Sequence, residues 1–340
     1  MRTYYVNKGE NFRQIAENCR RSAEEIARLN GRDMDDELMD GEVILLPPHP
    51  HCKEASTIRE GALCLNGFLG DGLSRTTLKE ALPYLASITI EGGSYSTKTG
   101  LVLPHMPHKD VLENCSAIKL LLPRIDRNPL APLGEYCGTL LANGYGGLVL
   151  SVSDYSTEEL TSALPQLAKI YKNNELGLYI LIRESALRKR TKLWIYLSEI
   201  LDGILLLADE IATPWQVRLA HLGEDFPKEM YRRVYAELPY ALLQLEDDRE
   251  RYFPLQKLSE QIQRCHAKRG CGSHQWIGEK CVIFGEDASS VSAGLSRLAQ
   301  LSIPGVSLHL GHTPAWILSL IRSRFACQVR CQRNDKHSPW

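Results

Sequence analysis

With 340 residues, 44% of them hydrophobic, the chain can bury a large core and has the length of two or three domains. Lys and Arg number 40 against 41 Asp and Glu, a formal net charge of −1 that gives no field to attract nucleic acid or an acidic surface. No stretch approaches the roughly 20 apolar residues of a membrane helix, so a helical span is excluded too.

The N-terminal stretch reads as a small unit of its own. Tyr4-Tyr5-Val6 forms a short strand, turned over at Lys8-Gly9-Glu10-Asn11. Phe12, Ile15 and Ala16, then Ile26 and Leu29, recur at helical spacing. Ser22 stands three residues before Glu25, a capping-box start for a second helix. Asn30-Gly31 stops that helix, and Gly41-Glu42-Val43-Ile44-Leu45-Leu46-Pro47 closes as a second strand. Because the first strand begins at Tyr4, no charged-then-apolar leader fits before it, and synthesis in the cytoplasm is expected. Pro47-Pro48-His49-Pro50-His51 is a stiff, extended spacer that sets a boundary near residue 50.

Beyond it, short apolar runs alternate with amphipathic segments. The strand candidates are 62–66, 87–90, 117–122, 147–152, 178–182, 203–207, 241–245 and 305–310. Helices are predicted over 157–173, with a Ser156/Glu159 capping box, and over 289–301, capped by Asp287 or Ser289. Apolar runs that do not alternate with polar residues fit parallel strands covered on both faces. Eight such strands have the rhythm of a closed (β/α)8 barrel. The competing architecture is an open doubly wound sheet, but no Gly-rich nucleotide loop follows the first strand.

Ten cysteines are scattered without a disulfide framework. Cys265, Cys271, His274 and Cys281 match no common zinc spacing, so neither a metal nor another cofactor is expected. Cys327 and Cys331, beside a polar tail, could cross-link to other chains at an oxidising location. The basic run Arg188-Lys189-Arg190-Thr191-Lys192 reads as a solvated helix face.

The first unit resembles a LysM domain, the module that holds N-acetylglucosamine polymers such as peptidoglycan and chitin. Tyr5, Val6, Gly9, Ile15, Ile26, Leu29, Gly41 and Pro47 fall where that pattern places such residues, while its usual Asp-Thr is Glu10-Asn11 here. The resemblance implies a glycan groove between the Gly9-Glu10-Asn11-Phe12 turn and the loop 30–40, bordered by Asn30, Met39 and Asp40.

The remainder resembles the family 18 glycoside hydrolase barrels that accompany LysM modules in bacterial spore cortex-lytic and germination proteins. Three segments carry the likeness: Leu82-Pro83-Tyr84-Leu85 onward to Gly100-Leu101, Gly144-Tyr145-Gly146-Gly147-Leu148-Val149-Leu150-Ser151-Val152-Ser153, and Phe284-Gly285-Glu286-Asp287-Ala288-Ser289-Ser290. In that family a glutamic acid ending the fourth strand protonates the glycosidic oxygen. An aspartate two residues earlier steadies the substrate's attacking N-acetyl group, an exception to the two-carboxylate scheme. Residues two apart on a strand share a face, and the two positions here are Ser151 and Ser153. A serine hydroxyl is not acidic enough for that task. The family's Met-x-Tyr-Asp aligns with Leu206-Leu207-Ala208-Asp209, and the tryptophan flooring the sugar site falls on Leu308 or His309.

The resemblance thus implies a non-catalytic, peptidoglycan-binding protein of the spore coat or cortex, with other coat proteins as further partners. Its layout is a LysM module over 1–48, a linker over 49–55, a barrel over 56–326 and a polar tail over 327–340. One alternative is a divergent N-acetylglucosaminidase-type glycosidase acting on cortex fragments. It would use a relocated acid among Glu91, Asp209 and Glu246, expected at the C-terminal ends of the second, sixth and seventh strands. Those acids could equally be solvated partners of arginines such as Arg124 and Arg183. A second alternative is a cysteine-cross-linked coat assembly protein.

Overall fold

The computed structural model describes residues 2–47, 62–70, 73–106, 108–125, 127–209, 213–225, 228–246, 249–269 and 275–328. The proline-rich spacer and most of the C-terminal tail lie outside these.

In the N-terminal unit, strand Arg2–Tyr5 pairs antiparallel with Val43–Leu46, and helices Phe12–Cys19 and Ala23–Leu29 lie between them. Ser22 caps the second helix as expected, accepting from Glu25 N–H at 3.3 Å. The first helix has a full capping box that the residue pattern did not flag. Asn11 Oδ1 accepts from Gln14 N–H, and Gln14 Oε1 accepts from Asn11 N–H. Strand Val43–Leu46 is apolar at every position because both of its faces are covered. Ile44 and Leu46 join Val6, Phe12, Ile15 and Ile26 in the unit's own core, whereas Val43 and Leu45 join the main core of the chain. The unit is therefore docked onto the larger body through that strand.

The larger body is a closed barrel of eight parallel strands: Ala62–Leu69, Ser87–Ser96, Ile118–Ile125, Gly147–Ser151, Gly177–Arg183, Gly203–Leu207, Val234–Glu237 and Gly305–His309. The first strand closes it, pairing with the eighth from Cys64 to Phe68 and with the second from Asn66 to Leu69. Helices Thr157–Asn173, with the expected Ser156/Glu159 box, and Ala288–Leu301, capped by Asp287, run outside it. Inside the barrel, Cys64, Leu120, Val149, Leu181 and Leu205 pack around Tyr179 and Tyr235. Those two rings meet edge to face, 6.4 Å apart. Gly203 and Gly305 begin their strands beside these rings, where a Cβ would come within 2.7 Å and 2.5 Å of ring atoms. The barrel floor is thus filled with aromatic side chains.

Two expectations are corrected. The seventh barrel strand is Val234–Glu237, not 241–245. Ala241–Glu246 belongs instead to a five-stranded antiparallel sheet, with Arg249–Pro254, Cys281–Phe284, Gln275–Ile277 and Lys268–Arg269, inserted between barrel strands seven and eight. The polar tail does not start at 327 either. Ala326–Gln328 pairs in parallel with the start of the first barrel strand, capping an edge that would otherwise be open.

Candidate functional site at the barrel mouth

The C-terminal ends of barrel strands form the catalytic face of this architecture. Val149 lies in the barrel interior and the strand period is two, so Ser151 faces the mouth. Ser153 follows just past the strand end, and both serines are exposed.

Opposite them the mouth is occupied by an aromatic stack. The His309 ring lies between Phe68, with centroids 4.9 Å apart, and Tyr240, 3.9 Å away. Tyr240 also stacks on His312 at 6.3 Å. His309 Nε2 is 2.8 Å from Glu237 Oε1, and the other oxygen of that carboxylate accepts from Ala208 N–H at 2.8 Å. Glu237 is 3% exposed, so the carboxylate end of this contact is held away from water. Burial, followed by the charge of Glu237, raises the Tyr240 hydroxyl above its ordinary range. Burial, with His309 alongside, lowers the His312 imidazole.

The candidate substitute acids do not converge on the serines. Asp209 is spent on the turn after the fifth strand, where both the backbone N–H and the hydroxyl of Ser185 donate to it. Ala208 offers its carbonyl to Arg183 Nη1 at 3.3 Å. Glu246 is on the inserted sheet, held by Gln244 Nε2 at 3.1 Å and facing Arg251 at 3.4 Å, because its strand is not a barrel strand. Glu91 lies midway along the second strand, which runs past the expected 87–90 to Ser96; it is exposed just before a register shift, and its charge reaches Tyr240. Nearby, Glu184 and Arg218 form a buried ion pair through Nε and Nη2 at 2.9 and 2.8 Å. The carboxyl that burial does hold protonated toward neutrality is Glu286, raised to about 7, and it lines a different cleft, beside the N-terminal unit.

The expected glycan residues are divided. Phe12 is 0% exposed and is a core ring, not a contact surface. Glu10 is taken up by Tyr4 OH and by the backbone and side chain of Asn7, and Asn11 is a helix cap. Gly9 makes their turn with φ +82°. Asn30 bridges the second helix to the second strand, donating to Ile26 and Leu45 carbonyls and accepting from Leu45 N–H. Asn30, Met39 and Asp40 nevertheless border one cleft together with Trp276 and Trp316.

Cys281, on the inserted sheet, meets Cys265 at the end of the helix Leu258–Arg264. Burial, then the neighbouring Cys265 thiol, pushes the Cys281 thiol up to about 12. Cys271 and His274 lie outside the described residues, and among those described no cluster of three or more His, Cys, Asp or Glu suits a metal.

No protein-family model matches the sequence, and no curated protein does. Solved structures do resemble the fold. The spore cortex-lytic enzyme SleL of Bacillus megaterium QM B1551 aligns with TM-score 0.64 and 14% identity, over 97% of this chain and 87% of that one. A chitinase of Chromobacterium violaceum aligns with TM-score 0.61 and 11% identity, over 77% and 98%. A glycoside hydrolase family 18 N-acetylglucosaminidase of Paenibacillus barengoltzii aligns with TM-score 0.59 and 12% identity, over 77% and 99%. The chain therefore has the (β/α)8 fold that family 18 glycoside hydrolases share.

Proposed function

We propose that this chain binds N-acetylglucosamine polymers, peptidoglycan foremost, in the envelope of a bacterial spore, and does not cleave them. The N-terminal unit is a LysM module and the barrel is a family 18 architecture without its acid. The observation that carries the reading is the mouth itself: exposed Ser151 and Ser153 face a stack of Phe68, His309 and Tyr240. A sugar ring needs a free aromatic floor and a protonated carboxyl poised over its glycosidic oxygen. Here the imidazole is already sandwiched, and Glu237 is committed to His309 and Ala208. Losing a general acid costs about 10²–10⁴-fold in rate.

Support for the substrate class comes from the neighbours, a spore cortex-lytic enzyme, a chitinase and an N-acetylglucosaminidase. Loss of a three-carboxylate pocket at the mouth weighs against the divergent glycosidase, since Asp209 and Glu246 are engaged elsewhere. The test incubates the purified protein with insoluble peptidoglycan and with chito-oligosaccharides. Retention on the polymer without released fragments is expected.

A further inference from the structure

Two cysteines meet at the base of a hairpin in the inserted sheet. Strand Lys268–Arg269 pairs antiparallel with Gln275–Ile277, Lys268 opposite Ile277 and Arg269 opposite Trp276. Cys265 lies just before the first of these strands, at the C-cap of the helix Leu258–Arg264. Cys281 begins the strand that follows the second. The pairing therefore brings both flanks together, and they converge on Gly278. A Cβ there would come within 2.5 Å of the Cys265 carbonyl oxygen and 3.0 Å of Cys281 Sγ, so glycine is what lets the two approach. The thiols themselves are in hydrogen-bonding contact.

The two sulfurs differ in access. Cys265 is half-buried, whereas Cys281 is 6% exposed and burial holds its proton in place. A small thiol reagent thus meets Cys265 first.

The pair also sits inside the grip on the N-terminal unit. Ser259, on the helix that Cys265 caps, accepts from Arg32 at 3.2 Å and donates to Glu42 at 3.4 Å. Arg269, four residues beyond Cys265, donates to the Gly41 carbonyl at 3.3 Å. Cys281 belongs to the central strand of the inserted sheet.

We infer that Cys265 and Cys281 are a modification site, closing to an intrachain disulfide when a low-molecular-weight disulfide such as oxidised glutathione is present. The link staples the segment that grips the N-terminal unit to the centre of the inserted sheet. In the first step the Cys265 thiolate attacks one glutathione sulfur and expels one glutathione thiol. In the second, Cys281 gives up its proton and attacks Cys265 Sγ in the mixed disulfide, expelling the other. Two protein thiols are oxidised and one glutathione disulfide is reduced to two thiols, which carry away both protons.

The experiment incubates the full chain with oxidised glutathione, blocks remaining thiols with a maleimide in acidic denaturant, and maps peptides without reduction. A peptide joining Cys265 to Cys281 is expected, and dithiothreitol should release it. The oxidised protein should melt about 3–6 °C above the reduced one, since the closed loop restricts the unfolded chain. Cys281→Ser should leave Cys265 as a lasting mixed disulfide with glutathione. Maleimide on Cys281 of the oxidised parent, or a link from either cysteine to Cys271, overturns the site. The expected link with no rise in melting temperature overturns the staple.

Discussion

His309 and Glu237 end adjacent barrel strands and face each other across 2.8 Å, with Glu237 also holding Ala208 N–H. One carboxylate therefore ties the eighth strand to the loop after the sixth. Removing the Glu237 carboxylate leaves the His309 ring and the Ala208 N–H without their hydrogen-bond partner. Glu237→Ala should lower unfolding free energy by about 3 kcal/mol, measured by urea denaturation. His309→Ala should cost less, because that side chain keeps 21% exposure and its loss leaves Glu237 bonded to Ala208. Equal losses would mean that the aromatic stack, not the hydrogen bonds of Glu237, dominates.

Glu286 gives a pH signature. Its folded carboxyl titrates near 7 against an ordinary 4.5, chiefly through burial. Between those values the folded state keeps a proton that the unfolded chain has released, so stability falls as pH rises through that window. The expected loss is on the order of 2–3 kcal/mol between pH 4.5 and pH 8. Glu286→Gln removes the titration and should flatten that part of the stability profile, while Gln still accepts from Trp215 N–H. Parallel profiles for parent and variant would assign the pH dependence to other groups.

Arg269 joins three elements: Asp287 at the helix cap, Gly41 O in the N-terminal unit and, 5.9 Å below its guanidinium, the Tyr5 ring. Arg269→Ala should cost about 1–2 kcal/mol and speed amide exchange along Val43–Leu46, the docking strand. The cap itself should survive, because Asp287 Oδ1 still accepts from Ser289 and Ser290 N–H. Exchange unchanged over that strand would mean that Val43, Leu45 and the hydrogen bonds of Ser259 with Arg32 and Glu42 hold the unit in place without Arg269.

The barrel was legible because seven of its strands are apolar runs of the right length. The seventh was hidden: Val234–Glu237 has four residues, and Tyr235 and Glu237 point into the barrel rather than continuing an apolar stripe. Leu242, Leu243 and Gln244 are equally buried, but in the inserted sheet, so 241–245 imitated a barrel strand. That one displacement moved the expected mouth acid from Glu237 to Glu246. The four-residue apolar run of Val43–Leu46 did carry a readable sign of docking, since a strand with one solvated face would have alternated. The cleft had no local signal, because Asp40, Glu286 and Trp316 meet only through the tertiary fold.

Restoring carboxylates should not restore chemistry. With Ser151→Asp and Ser153→Glu combined, the family 18 acid pattern returns, but the sandwiched His309 and the committed Glu237 still occupy the mouth. Positioning contributes several powers of ten to rate. Reducing-end release from chito-oligosaccharides should stay at the blank level, and turnover in the double variant would show that the mouth admits a sugar.

The most direct test of the account follows the unmodified protein on purified spore cortex peptidoglycan, measuring bound protein and soluble muropeptides in the same tube. The account predicts saturable retention on the polymer and no muropeptide release above the protein-free control. Release that disappears in Glu91→Gln or Glu237→Gln would contradict it and place a working acid at the barrel mouth.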